Sequence, residues 1–311
     1  MKLAFVYAGQ GSQFAGMGKD LYENYPAARA VFDQFPADFD LRTTCFEDPE
    51  GLLNQTRYTQ PCMLAVAMAI TDILAENGIT PEMTAGLSLG EYSALAAADV
   101  LSPQSVLEIT ALRGRLMAEA DPQGLGGMAA ILKLEQPQVE ALVEESLAET
   151  AGPLRIANYN TPAQFVVSGA KAAVTLACSK AKEHKGRGLE LKVSGAFHSP
   201  LLAEANKELA IQLRKAVWRK PRFPVYSNVT GKAVRDGESA RETLLQQMTS
   251  PVLWIDVVRH QYADGARRWL ELGPKALLGK MVAPCLSGLA EPAQLQIDLV
   301  SDGESAAALE N

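Results

Sequence analysis

A serine framed by two glycines, Gly86-Leu87-Ser88-Leu89-Gly90, lies between a short apolar run, Met83-Thr84-Ala85, and an alanine-rich stretch from Tyr92 to Ala98. No other part of the chain constrains the fold as tightly. A strand, a sharp turn and a helix form the simplest backbone that satisfies it, and the glycines let the turn close. The serine hydroxyl then stands at a helix N-terminus, where free amides and the helix dipole favour a developing oxyanion. Ser88 is therefore a candidate nucleophile on an elbow, although such a pentapeptide alone is a weak signal.

A serine nucleophile needs a base, and the chain has three histidines. His184, in Lys182-Glu183-His184-Lys185, sits at a charged helix end and reads as solvated. His260, in Val257-Val258-Arg259-His260-Gln261, reads as the polar face of a helix. His198 differs, because Gly195-Ala196-Phe197-His198-Ser199-Pro200 joins a strand to a helix, as active-site loops often do. No acid occupies an obvious third position. Either a buried carboxylate orients the imidazole or a main-chain carbonyl does, and the residues leave both open.

The pattern along the chain predicts an α/β protein. Leu3–Tyr7 reads as a buried strand that ends in Gly9-Gln10-Gly11-Ser12-Gln13, and Pro61–Asn77 as a core helix with Gly78 as its C-terminal glycine. Met63, Ala67, Ile70 and Leu74 repeat at helical spacing on it. Ser102-Pro103 opens another helix. From Met128 to Val193 the order is β-α-β-β-α-β, with strands at 128–134, 154–158, 165–168 and 189–193, the split ferredoxin-like pattern. The expectation is a large α/β-hydrolase-like domain, residues 1–124 and 194–311, with a parallel sheet and nucleophile elbow. A small ferredoxin-like subdomain is inserted at 125–193. A helix follows from Ser199-Pro200 to Val217, and strands follow at Pro224–Asn228 and Arg268–Glu271. The small acidic residues from about Ser301 predict a frayed end.

Composition excludes several functions. A formal net charge of −7 argues against nucleic-acid binding, which needs a basic surface. Cys45, Cys62, Cys178 and Cys285 form no CxxC pair and read as core thiols of a reducing compartment. No histidine pair has ligand spacing, so no metal site is expected. No apolar run reaches the length of a membrane span and no signal segment opens the chain, which predicts a cytoplasmic protein.

Four short patterns occur in one order: Gly9-Gln10-Gly11-Ser12-Gln13, then Gly86-Leu87-Ser88-Leu89-Gly90-Glu91-Tyr92, then Arg113-Gly114, then Gly195-Ala196-Phe197-His198-Ser199. Together they resemble the malonyl-CoA:acyl carrier protein transacylases of bacterial fatty-acid synthesis, akin to the acyltransferase domains of polyketide synthases. The resemblance runs to Glu271-Leu272-Gly273-Pro274. It implies that Ser88 attacks a thioester with His198 as base and then acid, and that the Gln247 carbonyl holds the imidazole. The amides of Gln10 and Leu89 would form the oxyanion hole, and Arg113 would take the malonyl carboxylate. Phe197, just before the histidine, goes with malonyl selection in the related domains, and Asn158 and Asn160 match a segment beside the site. Leu87 departs from the family, which usually has histidine there. Activity with an altered rate is expected.

The resemblance also implies malonyl-CoA and acyl carrier protein as partners, no resident cofactor, and a monomer. Carrier proteins are acidic, so Lys182, Lys185, Arg187, Arg219, Lys220 and Arg222 are candidates to dock one, against the plainer reading that they are simply solvated. A serine esterase or thioesterase, a transacylase of a polyketide pathway and a non-catalytic carrier-binding module are the rival readings.

Overall fold

The apolar runs at Leu3–Tyr7 and Met83–Gly86 offer no polar face to solvent, and both become inner strands of a parallel sheet. In the computed structural model, which describes residues 1–309, the chain opens with β1 (Lys2–Tyr7) and three short helices, α1 (Lys19–Asn24), α2 (Pro26–Gln34) and α3 (Leu41–Phe46). Helix α4 (Thr56–Glu76), strand β2 (Met83–Gly86), helix α5 (Gly90–Ala97) and helix α6 (Pro103–Glu119) follow. Ser102 caps α6 by accepting from the Ser105 amide.

Helix α4 departs from expectation at its start: it begins at Thr56, with Pro61 inside it. Pro61 has no N–H to give the Arg57 carbonyl, so propensity alone favours a later start. Packing against α6 overrides it. Gly114 lets the two backbones meet, since a Cβ there would lie 3.1 Å from the Thr56 and Arg57 carbonyl oxygens. The extra turn also makes α4 long and apolar enough to cross a membrane by length and composition, contrary to the run-length expectation. Its side chains are instead buried by protein, Met63, Ala67, Ile70 and Leu74 among them.

The middle of the chain forms β3 (Gly126–Leu132), α7 (Gln136–Glu149), β4 (Leu154–Thr161), β5 (Gln164–Ala170), α8 (Lys171–Glu183) and β6 (Arg187–Glu190). These strands make a separate antiparallel sheet in the order β4-β5-β3-β6, the ferredoxin-like order. One face, with Ala129, Ile131, Ile156, Phe165 and Val167, packs with Val139 and Leu142 of α7 and Val174 of α8. The last strand ends at Glu190, not Val193, which frees 191–193 to line a cleft.

A single 3₁₀ turn at Pro200–Leu202 then leads to α9 (Ala203–Lys215), shorter than the helix expected to Val217. The chain continues with β7 (Val225–Tyr226), α10 (Gly237–Gln247), α11 (Trp254–Ala263), β8 (Ala266–Leu272), α12 (Gly279–Cys285), β9 (Gln296–Val300) and α13 (Gly303–Ala307). The large sheet is β7-β2-β1-β8-β9, every pair parallel. Strand β9, half-exposed at the edge, is an addition to the strands expected from sequence.

The end of the chain is ordered to Leu309, against the expectation of fraying. Asp302 and Ser305 form a capping box on α13, the Gly303 amide donates to Asp20 at 2.7 Å, and Tyr25 donates to the Gly303 carbonyl. Composition suggested a tail, but Asp302-Gly-Glu-Ser305 carries its own helix start. Glu310 and Asn311, part of the same expectation, lie outside the described residues.

Two hydrogen bonds tie β4 of the antiparallel sheet to Val252, in the loop between α10 and α11 of the large unit. The Val252 amide donates to the Ala157 carbonyl at 2.8 Å, and the Tyr159 amide to the Val252 carbonyl at 2.9 Å. The open face of the antiparallel sheet thereby looks onto the C-terminal ends of β1 and β2, where open parallel sheets bind ligands.

Candidate functional site

The elbow exists because two glycines allow it. A Cβ on Gly86 would lie 1.9 Å from the Gly90 carbonyl carbon, and one on Gly90 would lie 2.1 Å from the Tyr7 carbonyl oxygen. No side chain fits at either place. The turn therefore closes against the end of β1, and Ser88 is held at φ +53°, the left-handed region that non-glycine residues rarely adopt. His198 is held there too, at φ +55°. Of the six described non-glycine residues in that region, Ser88 and His198 are the two that meet in one cleft, and strain held there marks a functional site.

Ser88 and His198 meet. The Ser88 Oγ lies 2.7 Å from His198 Nε2. On the other side of the ring, Nδ1 lies 3.0 Å from the Gln247 carbonyl and 3.1 Å from the Ser250 carbonyl. Carbonyls only accept, so Nδ1 carries the proton and Nε2 is left as the acceptor for the serine hydroxyl. Of the two orienting groups left open by the sequence, the carbonyl is the one present. Ser250 supplies a second carbonyl that sequence reasoning missed.

The imidazole is buried and, with the Arg113 cation nearby, its pKa is pulled down to about 4. It is a neutral base at any ordinary pH. In kcat/KM, which reports free enzyme, the acid limb is expected near pH 4 rather than near the 6.5 of a free imidazole. The sign follows from the role: the base works when neutral, so activity is lost as pH falls through that value. A pH–rate profile with its inflection near 6.5 would show that burial and the Arg113 cation do not hold the imidazole neutral.

Arg113, on α6, is 1% exposed. Its Nη1 donates to Gln60 Oε1 at 2.8 Å, and Nη2 donates to Ser88 Oγ at 2.9 Å and Gln247 Oε1 at 3.2 Å. The Nε has no partner, and no carboxylate among the described residues pairs with the guanidinium within 4.0 Å. A buried cation without an anion is expensive. It sits in a cleft of about 710 Å³ in which no Asp or Glu is among the described lining residues; Arg113 and Lys192 are the cations there.

The remaining expected residues also reach this cleft. Gln10 and Leu89 line it, and among the described residues neither main-chain amide donates a hydrogen bond. Phe197 and Met128 line it as well. Asn158 and Asn160 lie in β4, each 6% exposed, as strand residues rather than turn formers, and Asn160 Oδ1 has no partner. Leu87 adds an apolar side chain to the lining. His184 is exposed at the end of α8, and His260 on α11 is bonded to the Gly231 carbonyl; neither lines the cleft.

Three polar groups came unannounced. The Gln247 side chain donates from Nε2 to the Ser88 carbonyl at 2.7 Å and to Glu91 Oε2 at 2.9 Å. Glu91 is buried, which raises its pKa to about 7. Asn228 accepts from the Ser88 amide at 2.6 Å. Glu91 stood within the quoted elbow pattern; Asn228, 140 residues downstream, had no local signal.

This constellation suits acyl transfer: a serine hydroxyl bonded to an oriented neutral imidazole, two main-chain amides without acceptors lining the cleft, and a buried cation without an anion. The sequence pattern of the family described as acyl transferase domain matches residues 4–308. The chain is 38% identical over 284 residues, 90% of this chain and 89% of the other, to the malonyl CoA-acyl carrier protein transacylase of Bacillus subtilis. It superposes on the crystal structure of malonyl CoA-acyl carrier protein transacylase from Clostridium perfringens with a TM-score of 0.92 at 35% identity, covering 99% and 96% of the two chains. A malonyl-transacylase solved in complex with its type II polyketide acyl-carrier protein also superposes with a TM-score of 0.92, at 33% identity over 99% and 98%. With a shared fold along its whole described length and a serine, histidine and arginine brought together in one cleft, this chain belongs to the acyl transferase domain family.

Proposed function

We propose that this chain transfers the malonyl group of malonyl-CoA to the phosphopantetheine thiol of holo acyl carrier protein. The carrying observation is Arg113, a buried cation that lacks a carboxylate and stands 2.9 Å from Ser88 Oγ. A malonyl group brings the missing carboxylate, and a planar guanidinium holds it in a fixed orientation. The names of the relatives support the same substrate and acceptor.

In this reading His198 Nε2 takes the Ser88 proton as Oγ attacks the malonyl thioester carbon. The tetrahedral oxyanion is held by the amides of Gln10 and Leu89. Collapse expels CoA as thiol, protonated by His198, and leaves malonyl-Ser88. The carrier thiol then attacks, giving its proton to His198, and the Ser88 oxygen leaves with a proton returned. Malonyl-CoA and the phosphopantetheine arm are substrates, and no resident cofactor is used. Phe197 crowds a branched acyl group, a preference of about 1–3 kcal/mol for malonyl over methylmalonyl.

Residues 125–193 act as an inserted subdomain that roofs the cleft. For an acidic carrier, Lys192 at the cleft and Arg187 are the better-placed cations, because Arg187 pairs with Leu132, which shares a side of β3 with the cleft-lining Met128 and Ala130. Lys182 lies on α8, across the sheet, and Arg222 is paired with Asp99 at 3.0 Å. The enzyme is proposed to be a cytoplasmic monomer.

Intact-mass spectrometry tests the proposal. Malonyl-CoA is expected to leave a malonyl adduct that maps to Ser88 and clears when holo carrier protein is added. An adduct that clears in buffer alone would identify a thioesterase instead. No adduct would end the malonyl reading.

A further inference from the structure

Asn228 is wholly buried and follows β7, far in sequence from the elbow. Its side chain spans the turn: Oδ1 accepts from the Ser88 amide at 2.6 Å, and Nδ2 donates to the Gly86 carbonyl at 2.7 Å. Its own amide donates to Glu91 Oε2, and its carbonyl accepts from the Leu253 amide. Every polar group of Asn228 is thus committed.

We propose that Asn228 is the positioning residue that holds Ser88 in its left-handed conformation, by bridging the two peptide groups on either side of Leu87. A backbone in that region persists only where its surroundings over-determine it. The glycines permit the turn, but a permissive backbone does not choose one conformation. Asn228 chooses it, because a carboxamide presents one acceptor and one donor in a plane. The clamp also occupies the Ser88 amide, which leaves Leu89 and Gln10 as the amides free to meet an oxyanion.

The inference rests on Ser88 being the nucleophile, and its test reads that serine without malonyl-CoA. The rate of Ser88 labelling by an alkyl fluorophosphonate is measured in the parent, Asn228→Ala and Asn228→Asp. Asn228→Ala removes both bonds and is expected to slow labelling about 100-fold, the scale of a misplacement of about 1 Å. Asn228→Asp keeps the acceptor for Ser88 but sets a carboxylate oxygen against the Gly86 carbonyl. Protonation makes that oxygen a donor again. Burial and the facing Glu91 raise the pKa of such a carboxyl, while Arg113 and His198 meet it only through Ser88. The Asn228→Asp rate relative to the parent is therefore expected to climb about tenfold between about pH 8 and pH 5.5.

A merely structural asparagine would give a relative rate that is flat in pH. That flat ratio, or labelling of Asn228→Ala at the parent rate, overturns the proposal. If Asn228→Ala fails to fold, the near-isosteric Asn228→Asp decides alone. A parent that does not label removes Ser88 as nucleophile and this inference with it. A parent that labels yet forms no malonyl adduct removes the malonyl reading only.

Discussion

A His198→Ala variant is expected to lose acylation of Ser88 by malonyl-CoA by about four orders of magnitude, on the scale seen when an oriented base is deleted. The serine hydroxyl donates to Nε2 at 2.7 Å, and no other proton acceptor of comparable basicity stands there. What remains is the Arg113 contact, which donates to Oγ and cannot take its proton. Rapid-quench measurement of the malonyl-enzyme gives the rate directly. A loss of less than tenfold would show that another group accepts the proton. The orienting acceptors, by contrast, are main-chain carbonyls of Gln247 and Ser250. No side-chain substitution deletes them, so a mutational scan will find a base without an acid. A Gln247→Ala variant would instead report on the side chain, which bonds Arg113, Glu91 and the Ser88 carbonyl.

Arg113→Met is expected to produce the second large effect, with opposite signs for activity and stability. Loss of the cation from the malonyl complex leaves a carboxylate buried without its partner, a penalty of about 3–5 kcal/mol. The kcat/KM for malonyl-CoA should fall about 150- to 5,000-fold. Acetyl-CoA brings no carboxylate, so its kcat/KM should change far less and discrimination should collapse. In the unliganded protein the same substitution replaces an unpaired buried charge with an apolar chain of similar length, so Tm should rise. Steady-state rates with both donors and a thermal melt decide it. Equal losses for malonyl- and acetyl-CoA would mean that Arg113 serves the serine, not the carboxylate.

The parts of this molecule that could be read from sequence are those whose signals are local. The elbow was legible because Gly86 and Gly90 must be glycine, and His198 because it sits between a strand and a turn. Arg113 was legible only through the family resemblance; on α6 alone it resembles any helical arginine. Gln247 was placed for its carbonyl, while the bonds of its side chain depend on how α10 meets α5, which no window of sequence contains. Asn228 closes an elbow that lies 140 residues earlier. The early start of α4 and the ordered helix α13 escaped for another reason. Packing of Gly114 overrode the signal of Pro61, and a capping box was hidden in a stretch whose composition suggested a tail.

The tie between β4 and the loop after α10 has a further consequence. The chain from Gln247 to Val252 gives its first and fourth carbonyls to the imidazole, and its last residue to the antiparallel sheet through Ala157 and Tyr159. Arg155, on the same sheet, also donates to the Thr249 carbonyl at 3.0 Å. The roof of the cleft and the hinge pin of the base are thus one short lever. Whatever fixes β4 therefore also fixes the two carbonyls that set the orientation and tautomer of His198.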